Sequence, residues 1–203
     1  SATGVWADGI ARLEAPEVTP RSTIRPAKGI HLTVPWNLVR NTVAAVVAVP
    51  GDKRNLFVVP WGPLPDGTFS HTYIGTTDTD YDGPLDDPPC TDADIDYVIN
   101  ALNATVTTDI TAADVTAVWA GLRPLIKATD SGNTKDISRM HKITVGPGGI
   151  ISIAGGKLTT YREMAEHTVD AVMKRLGRSG RSRTRSLALI GADGFVEQPA
   201  GSA

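Results

Sequence analysis

The sequence predicts an α+β protein, built on a mixed, mostly antiparallel sheet with flanking helices. Four β-branched segments end at proline, glycine or aspartate, as the strands of hairpins do. They cover residues 29–34, 42–49, 55–59 and 72–77. A helix with one apolar face follows. The last predicted unit is a strand, a glycine turn and a helix. Hydrophobic residues make up 41% of the 203 positions and charged residues 21%, which is enough to build a core.

The first long helix is predicted over residues 91–105. Thr91 is a typical N-cap residue, and acidic side chains at 92 and 94 favour the positive end of the helix dipole. Its apolar side chains repeat at helical spacing, at Ile95, Val98, Ile99 and Leu102. A strand over 115–122 should then end at Arg123-Pro124, and strands 139–145 and 150–154 should pair across "GPGG" as a hairpin.

The last helix is predicted over residues 161–176. Thr160 and Glu163 have the T-x-x-E spacing of a capping box, and Gly177 can end the helix. An apolar stripe at helical spacing should be buried, formed by Ala165, Val169, Val172, Met173 and Leu176.

Composition excludes several classes of function. A net charge of −2 provides no general attraction to nucleic acid or to an anionic membrane. Cys90 is the only cysteine, so neither an intrachain disulfide nor a cysteine metal cluster can form. The longest apolar run, residues 43–49, is far shorter than the ~20 residues of a membrane-spanning helix. We therefore expect a cytoplasmic protein without a transmembrane segment.

The stretch "GGIISIAGGKLTTYR" at 148–162 resembles a phosphate-binding P-loop only superficially. That motif needs glycine five residues before its Gly-Lys pair and a hydroxyl directly after the lysine. Ile151 and Leu158 occupy those positions, so nucleotide hydrolysis is not predicted. On the local pattern alone, an ordinary strand-to-helix turn is the favoured interpretation.

Four residues are candidates for chemistry. Arg123, Arg139 and Lys157 lie beside turns at predicted strand ends, where they would bind an anionic substrate if the ends converge. Taken singly, each is more typical of a surface charge. His31 lies on a strand among apolar residues, where it is either a proton-transfer group or an ordinary core histidine. The four histidines show no metal-ligand spacing, so no metal site is predicted.

Several segments together resemble one family. In order they are "ATGVW", "KGIHLTVP", "FVVPW", "IGTTDTDY", "VWAGLRPLI", "ISRMHKI" and "IAGGKLTTYREMAEHTVDAV". They are similar to the FAD-dependent glycerol-3-phosphate dehydrogenases over roughly residues 1–176. The resemblance implies oxidation of sn-glycerol 3-phosphate to dihydroxyacetone phosphate, with FAD as cofactor and a quinone as electron acceptor. It also implies peripheral association of the complete enzyme with the inner face of the membrane.

The resemblance assigns roles to individual residues. Thr3 and Gly4 would lie near the ADP moiety of FAD. The turn facing the isoalloxazine ring would contain Gly155, Gly156, Leu158, Thr159 and Thr160. Arg139 and Lys157 would bind the substrate phosphate, and Arg123 would orient the C2 hydroxyl or the phosphate. His31 would be the catalytic base.

The resemblance also divides the chain. Residues 1–10 would be a flavin-domain remnant, 11–147 the substrate-binding domain, 148–177 a strand–turn–helix that rejoins the flavin domain, and 178–203 a linker towards an absent helical C-terminal domain. Because the G-x-G-x-x-G unit for ADP is missing, we expect weak or no FAD binding by this chain alone. Faces meant for the flavin domain would be exposed, so we expect a homo-oligomer.

Two other interpretations stay open at this point. An amino-acid-oxidising flavoenzyme of the same architecture would use arginine to hold a carboxylate. A non-catalytic folded fragment would have no reaction at all.

Overall fold

The computed structural model describes residues 1–18, 22–127, 140–192 and 194. The strands are β1 (Ile24–Pro35), β2 (Ala45–Ala48), β3 (Asn55–Pro63), β4 (Phe69–Gly75), β5 (Thr79–Asp80), β6 (Ala117–Ile126), β7 (His141–Val145) and β8 (Ile151–Gly155). The helices are α1 (Ala7–Glu14), α2 (Trp36–Val39), α3 (Asp92–Asn103) and α4 (Tyr161–Arg175). Within the described ranges, no helix has the length and apolar character needed to cross a membrane.

Strand β1 is the centre of the larger, six-stranded sheet. It pairs with β6 along one edge, and with β4 and then β5 along the other. Strands β2 and β3 extend the sheet beyond β4. Among the described residues every strand pairing is antiparallel, which confirms the predicted fold class.

The two faces of β1 have different surroundings, because successive side chains of a strand point to opposite faces. Ile30, Leu32 and Val34 are fully buried on one face. They pack in the core with Val98 and Leu102 of α3, which covers that face. The intervening residues, including His31, point to a face that α3 does not cover.

A buried ion pair joins β1 to α3. Lys28 Nζ lies 2.6 Å from Asp94 Oδ2, and each side chain is only 8% exposed. Lys28 Nζ also donates to the Pro89 carbonyl at 3.0 Å. Asp94 accepts from the Thr91 amide and hydroxyl, so the predicted cap at Thr91 is confirmed as a full capping box. Burial would raise the pKa of Asp94, but the hydrogen bonds from Lys28 and Thr91 outweigh it and lower that pKa.

Strand β6 is longer than predicted. It continues through Arg123-Pro124 to Ile126, so Arg123 is inside the strand rather than at its end. Pro124 lies directly opposite Pro26 of β1. In an antiparallel ladder, opposite residues of a non-hydrogen-bonded pair direct their amides away from each other, so two prolines can face each other without losing a ladder bond.

The smaller sheet is the predicted hairpin of β7 and β8. The chain's first residue lies beside it: the Ser1 amino group donates to the Ile151 carbonyl at 2.6 Å, and the Ile153 amide donates to the Ser1 carbonyl at 2.9 Å. The short helical turn Gly4–Trp6 then contacts β1, β6 and β8. Two segments about 150 residues apart are thereby brought together.

Helix α4 begins and ends where predicted, but two details were wrong. Thr160 does not form the capping box with Glu163: its hydroxyl donates to the Lys157 carbonyl at 2.9 Å instead. The apolar stripe is not buried, since Val169 is 57% and Leu176 62% exposed. Residues 180–187 lie beside part of the stripe without burying it. At the other end, Gly177 adopts φ +64° and its amide donates to the Lys174 carbonyl.

Asp94→Ala should be strongly destabilising, because it leaves the Lys28 ammonium buried without its partner. We expect a loss of about 3–5 kcal/mol in the free energy of unfolding, measured by urea denaturation. Lys28→Met is the matched comparison, since Asp94 then keeps its bonds from Thr91. Equal losses for the two variants would contradict this account.

The same pair sets a dependence on pH. A carboxyl with a lowered pKa in the folded state stabilises above its unfolded pKa of ~3.9, and this stabilisation is lost as pH falls through the folded value. We therefore expect the stability of Asp94→Ala to fall less steeply between pH 5 and pH 2 (about the range in which such groups titrate) than that of the unsubstituted protein.

Candidate active site

The uncovered face of β1 carries a row of aromatic rings. His31 stacks on Trp119 of β6, with ring centroids 5.3 Å apart and planes 10° from parallel. Tyr73 of β4 meets the His31 ring edge-on at 6.1 Å, and Trp61 of β3 meets Tyr73 at 5.7 Å. Trp119 remains 46% exposed, so this face is open to a ligand at the imidazole.

The sheet leaves room for the His31 ring at Gly75, its direct partner on β4. A Cβ on Gly75 would lie 2.4 Å from His31 Cδ2, so any side chain there would displace the imidazole. Within the described residues, neither ring nitrogen of His31 has a hydrogen-bond partner. Burial, followed by the nearby positive charge of Arg123, lowers the pKa of His31 below its ordinary value. The imidazole therefore stays neutral and able to accept a proton at neutral pH.

Arg123 reaches across β1 at Gly29. A Cβ on Gly29 would lie 2.4 Å from Nη2 of Arg123 and 2.6 Å from Nη1, so only glycine lets the guanidinium lie there. Its hydrogen-bond acceptors lie on three consecutive residues. Nη2 donates to Thr76 Oγ1 at 2.9 Å. Nη1 donates to the Thr77 carbonyl and to Asp78 Oδ1, both at 3.2 Å. The guanidinium is thus oriented beside His31.

Residues 76–78 interrupt the edge of the sheet between β4 and β5. Opposite this interruption, the Ile30 amide donates to the Thr77 hydroxyl at 3.1 Å instead of to a strand carbonyl. Thr77 is 2% exposed. A side chain therefore replaces the missing ladder bond, and the three residues are free to present their acceptors to Arg123.

The glycine turn after β8 is held close to β6. Gly155 and Gly156 have φ +74° and +79°, which glycine adopts without strain. A Cβ on Gly155 would lie 2.7 Å from Ile126 Cδ1, and one on Gly156 would lie 2.6 Å from Met164 Sδ. The turn thus meets β6 three residues after Arg123.

The residues that follow the turn are open to a ligand. Leu158 is 89% exposed, and Lys157 and Thr159 are exposed as well. The first amides of a helix have no partner within it, and they form the positive end of its dipole. The positive end of the α4 dipole at this turn favours a ligand that carries negative charge.

The structure unites some predicted site residues and not others. His31 and Arg123 share one face. Lys157 follows the turn packed on β6, but within the described residues no direct contact joins it to His31 or Arg123. Arg139 lies outside the described residues. Thr3 and Gly4 lie in the N-terminal segment that contacts β8, with the Thr3 hydroxyl 3.1 Å from that of Ser1.

Sequence reasoning missed two contacts. Asp78 pairs with Arg123, and the run of polar residues "TTD" is the only sequence signal at this position. His141 Nε2 lies 3.0 Å from His167 Nδ1, a contact between β7 and α4 that no sequence spacing indicates. Across residues 1–18, 22–127 and 140–192, no group of three or more His, Cys, Asp or Glu side chains gathers to hold a metal ion.

The family model described as FAD dependent oxidoreductase matches residues 1–162. The chain therefore belongs to the FAD-dependent oxidoreductase family.

Named relatives are more specific. Glycerol-3-phosphate dehydrogenase 2 of Mycobacterium tuberculosis is 42% identical over 196 residues, covering 96% of this chain and 32% of the relative. Glycerol-3-phosphate dehydrogenase of Mycobacterium leprae is 40% identical over 196 residues, which again cover 96% of this chain and 32% of the relative. The chain thus spans about a third of the length of these curated relatives.

Similar solved structures include the following two. The glycerol-3-phosphate dehydrogenase of Bacillus halodurans, complexed with FAD, superposes with a TM-score of 0.74 at 38% identity, covering 90% of this chain and 33% of that one. Glycine oxidase of Geobacillus kaustophilus superposes with a TM-score of 0.50 at 19% identity, covering 88% of this chain and 41% of that one. The second match shows a shared fold alone.

Arg123→Met should raise the pKa of His31, because it removes a positive charge that disfavours the imidazolium. The measurement is a pH titration of the imidazole C–H signals by NMR. Arg25→Met is the control: Arg25 lies about 20 Å from His31 along β1 at ~3.3 Å per residue, beyond the ~8 Å screening length. A His31 pKa that is unchanged in Arg123→Met would contradict the assigned electrostatics.

Proposed function

We propose that the full-length protein oxidises sn-glycerol 3-phosphate to dihydroxyacetone phosphate and passes the electrons through FAD to a quinone. The observation that carries this proposal is the pair formed by a neutral, half-buried His31 and an oriented Arg123 on one open face. The 37–42% identity to several glycerol-3-phosphate dehydrogenases supports the choice of substrate.

Bound FAD would accept the hydride that leaves C2 of the substrate. An imidazole nitrogen of His31 takes the proton of the C2 hydroxyl in the same step, so the carbonyl forms without a build-up of negative charge on oxygen. The lowered pKa of His31 keeps that nitrogen unprotonated, and stacking on Trp119 holds the ring plane.

We assign different anchoring roles to the cations. Arg123 is already paired with Asp78, which offsets part of its charge and favours the C2 hydroxyl as its ligand over a phosphate dianion. Lys157 is exposed and has no salt-bridge partner within the described chain, so its ammonium is available to the phosphate. Arg139 is proposed as its companion on the resemblance of "ISRMHKI" alone.

We propose the same division of the chain as the motifs imply. Residues 1–10 and 148–177 face the flavin, with Thr3 and Gly4 towards the ADP moiety and residues 155–160 towards the ring. The bonds of Ser1 to both Ile151 and Ile153 support this grouping. The exposed apolar stripe of α4 supports coverage by the rest of the protein or by another subunit. Peripheral attachment at the inner membrane face belongs to the same proposal.

Substrate choice is tested with the full-length, FAD-loaded enzyme and an artificial electron acceptor. We expect turnover with glycerol 3-phosphate and none with glycine or sarcosine. Turnover of the amino acids alone would favour the amino-acid-oxidising interpretation, and no turnover of either would favour a non-catalytic one.

Lys157→Ala should raise the KM for glycerol 3-phosphate roughly 10- to 100-fold, the loss of one charge-assisted contact of about 1.5–3 kcal/mol. Arg139→Ala should act in the same direction. Lys142→Ala removes an exposed lysine of β7 and serves as the matched control. A KM in Lys157→Ala equal to that of the control would remove lysine 157 from the phosphate site.

His31→Gln should lower kcat by about 10²- to 10⁴-fold, the usual contribution of a general base. Because only the neutral imidazole accepts the proton, activity should fall as pH drops through the His31 pKa. The acid limb of kcat/KM should therefore lie below the ordinary histidine pKa of ~6.5. Undiminished turnover in His31→Gln would exclude the base assignment.

A further inference from the structure

We propose that Arg54 is a positioning residue for Arg123, acting through the segment Thr76–Asp78. Arg54 lies just before β3 and donates no hydrogen bond to the aromatic face or to Arg123. The proposal rests on the substrate role of Arg123 stated above. Its physical basis is a continuous set of contacts from α3 to the Arg123 guanidinium.

Arg54 is itself firmly held. Its Nε donates to Asp52 Oδ2 at 2.7 Å, its Nη2 donates to the same oxygen, and its amide donates to Asp52 Oδ1 at 3.2 Å. The guanidinium lies 5.0 Å from the ring centroid of Tyr97 on α3, whose hydroxyl donates to Asp52 Oδ2 at 3.1 Å. The hydrogen bonds from Arg54 keep the pKa of Asp52 far below its ordinary value, so the carboxylate is ionised throughout the neutral range.

The remaining guanidinium nitrogen of Arg54 fixes Asp78. Arg54 Nη1 donates to the Asp78 carbonyl at 2.8 Å, while the Asp78 carboxylate accepts from Arg123 Nη1 at 3.2 Å. One residue therefore connects the two guanidinium groups, through its main chain on one side and its side chain on the other. The other acceptors of Arg123 are the Thr76 hydroxyl and the Thr77 carbonyl, which belong to the two residues immediately before Asp78.

This anchor matters because the segment lacks strand pairing of its own. The ion pair of Arg123 and Asp78 is 37% and 45% exposed, and such pairs hold a geometry weakly by themselves. Thr77 is fixed by the Ile30 amide, but Asp78 is fixed by Arg54. Without Arg54, Asp78 gains freedom and the Arg123 guanidinium loses its orientation over Gly29.

The test uses the full-length, FAD-loaded enzyme with Arg54→Met, Arg123→Met and the double variant. We expect Arg54→Met to lower kcat/KM about 10-fold, within the ~100-fold loss that a 1 Å misplacement causes. The loss should appear in the same parameter, kcat or KM, that Arg123→Met changes. The double variant should be no worse than Arg123→Met, since residues acting through one contact are not additive.

Two further readouts separate positioning from general destabilisation. Activity is expressed per bound FAD, and the melting temperature of each variant is measured. The His31 pKa, titrated by NMR, should rise in Arg54→Met in the same direction as in Arg123→Met but by less. Arg25→Met is the control, because it removes a comparable pair, Arg25 Nη2 with Asp80 Oδ2 at 2.5 Å, elsewhere on the sheet. It should change neither the His31 pKa nor turnover.

The outcomes are distinct. Additive losses in the double variant, or an unchanged His31 pKa with wild-type kinetics in Arg54→Met, would overturn the positioning role. An unsubstituted enzyme that does not oxidise glycerol 3-phosphate would overturn the proposed function instead. In that case the His31 titration still decides whether Arg54 positions Arg123, because it needs no substrate.

Discussion

The buried ion pair between Lys28 and Asp94 is the contact on which the site depends. It ties β1 to the first turn of α3 on the covered face of the sheet. The next residues of the same strand, Gly29 and His31, carry the arginine crossing and the candidate base on the opposite face. Side chains alternate between the two faces of a strand. The ion pair that holds Lys28 on the covered face therefore also holds the backbone of Gly29 and His31, which face the opposite side. This buried ion pair therefore positions the site residues of β1 as well as contributing to stability.

Missing side chains shape the site as much as those present. Gly29 leaves the space that the Arg123 guanidinium occupies, and Gly75 leaves the space for the His31 ring. The interruption of the sheet at residues 76–78 then supplies three acceptors to that guanidinium. Helix α3 supports this arrangement a second time, through Tyr97, Asp52 and Arg54. Both anchors of the site thus lead back to one helix.

Sequence periodicity predicted the elements better than their ends or their surroundings. The N-cap at Thr91 and the helix end at Gly177 depend on residues that are close in sequence, and both predictions are confirmed. Strand β6 was predicted too short, because a proline normally ends a strand and only the opposite Pro26 makes Pro124 harmless. The stripe on α4 was expected to be buried, because amphipathic spacing reports that a face is apolar, not what covers it. Arg139, by contrast, stays a prediction.

The amino-acid sequence by itself determined the fold class, the chemical types of the site residues and the motifs that indicate a flavin-linked dehydrogenase. The fold class follows from local pattern, through strand alternation and helix caps, whereas the dehydrogenase interpretation rests on the resemblance of runs such as "GGKLTTYR" to a known family. Only the tertiary structure decided that His31 stacks on Trp119, that Asp78 pairs with Arg123, and that Ser1 lies against β8. Those contacts join residues 45 to 150 positions apart. They depend on which distant segments of the chain come together, and local sequence spacing does not specify that.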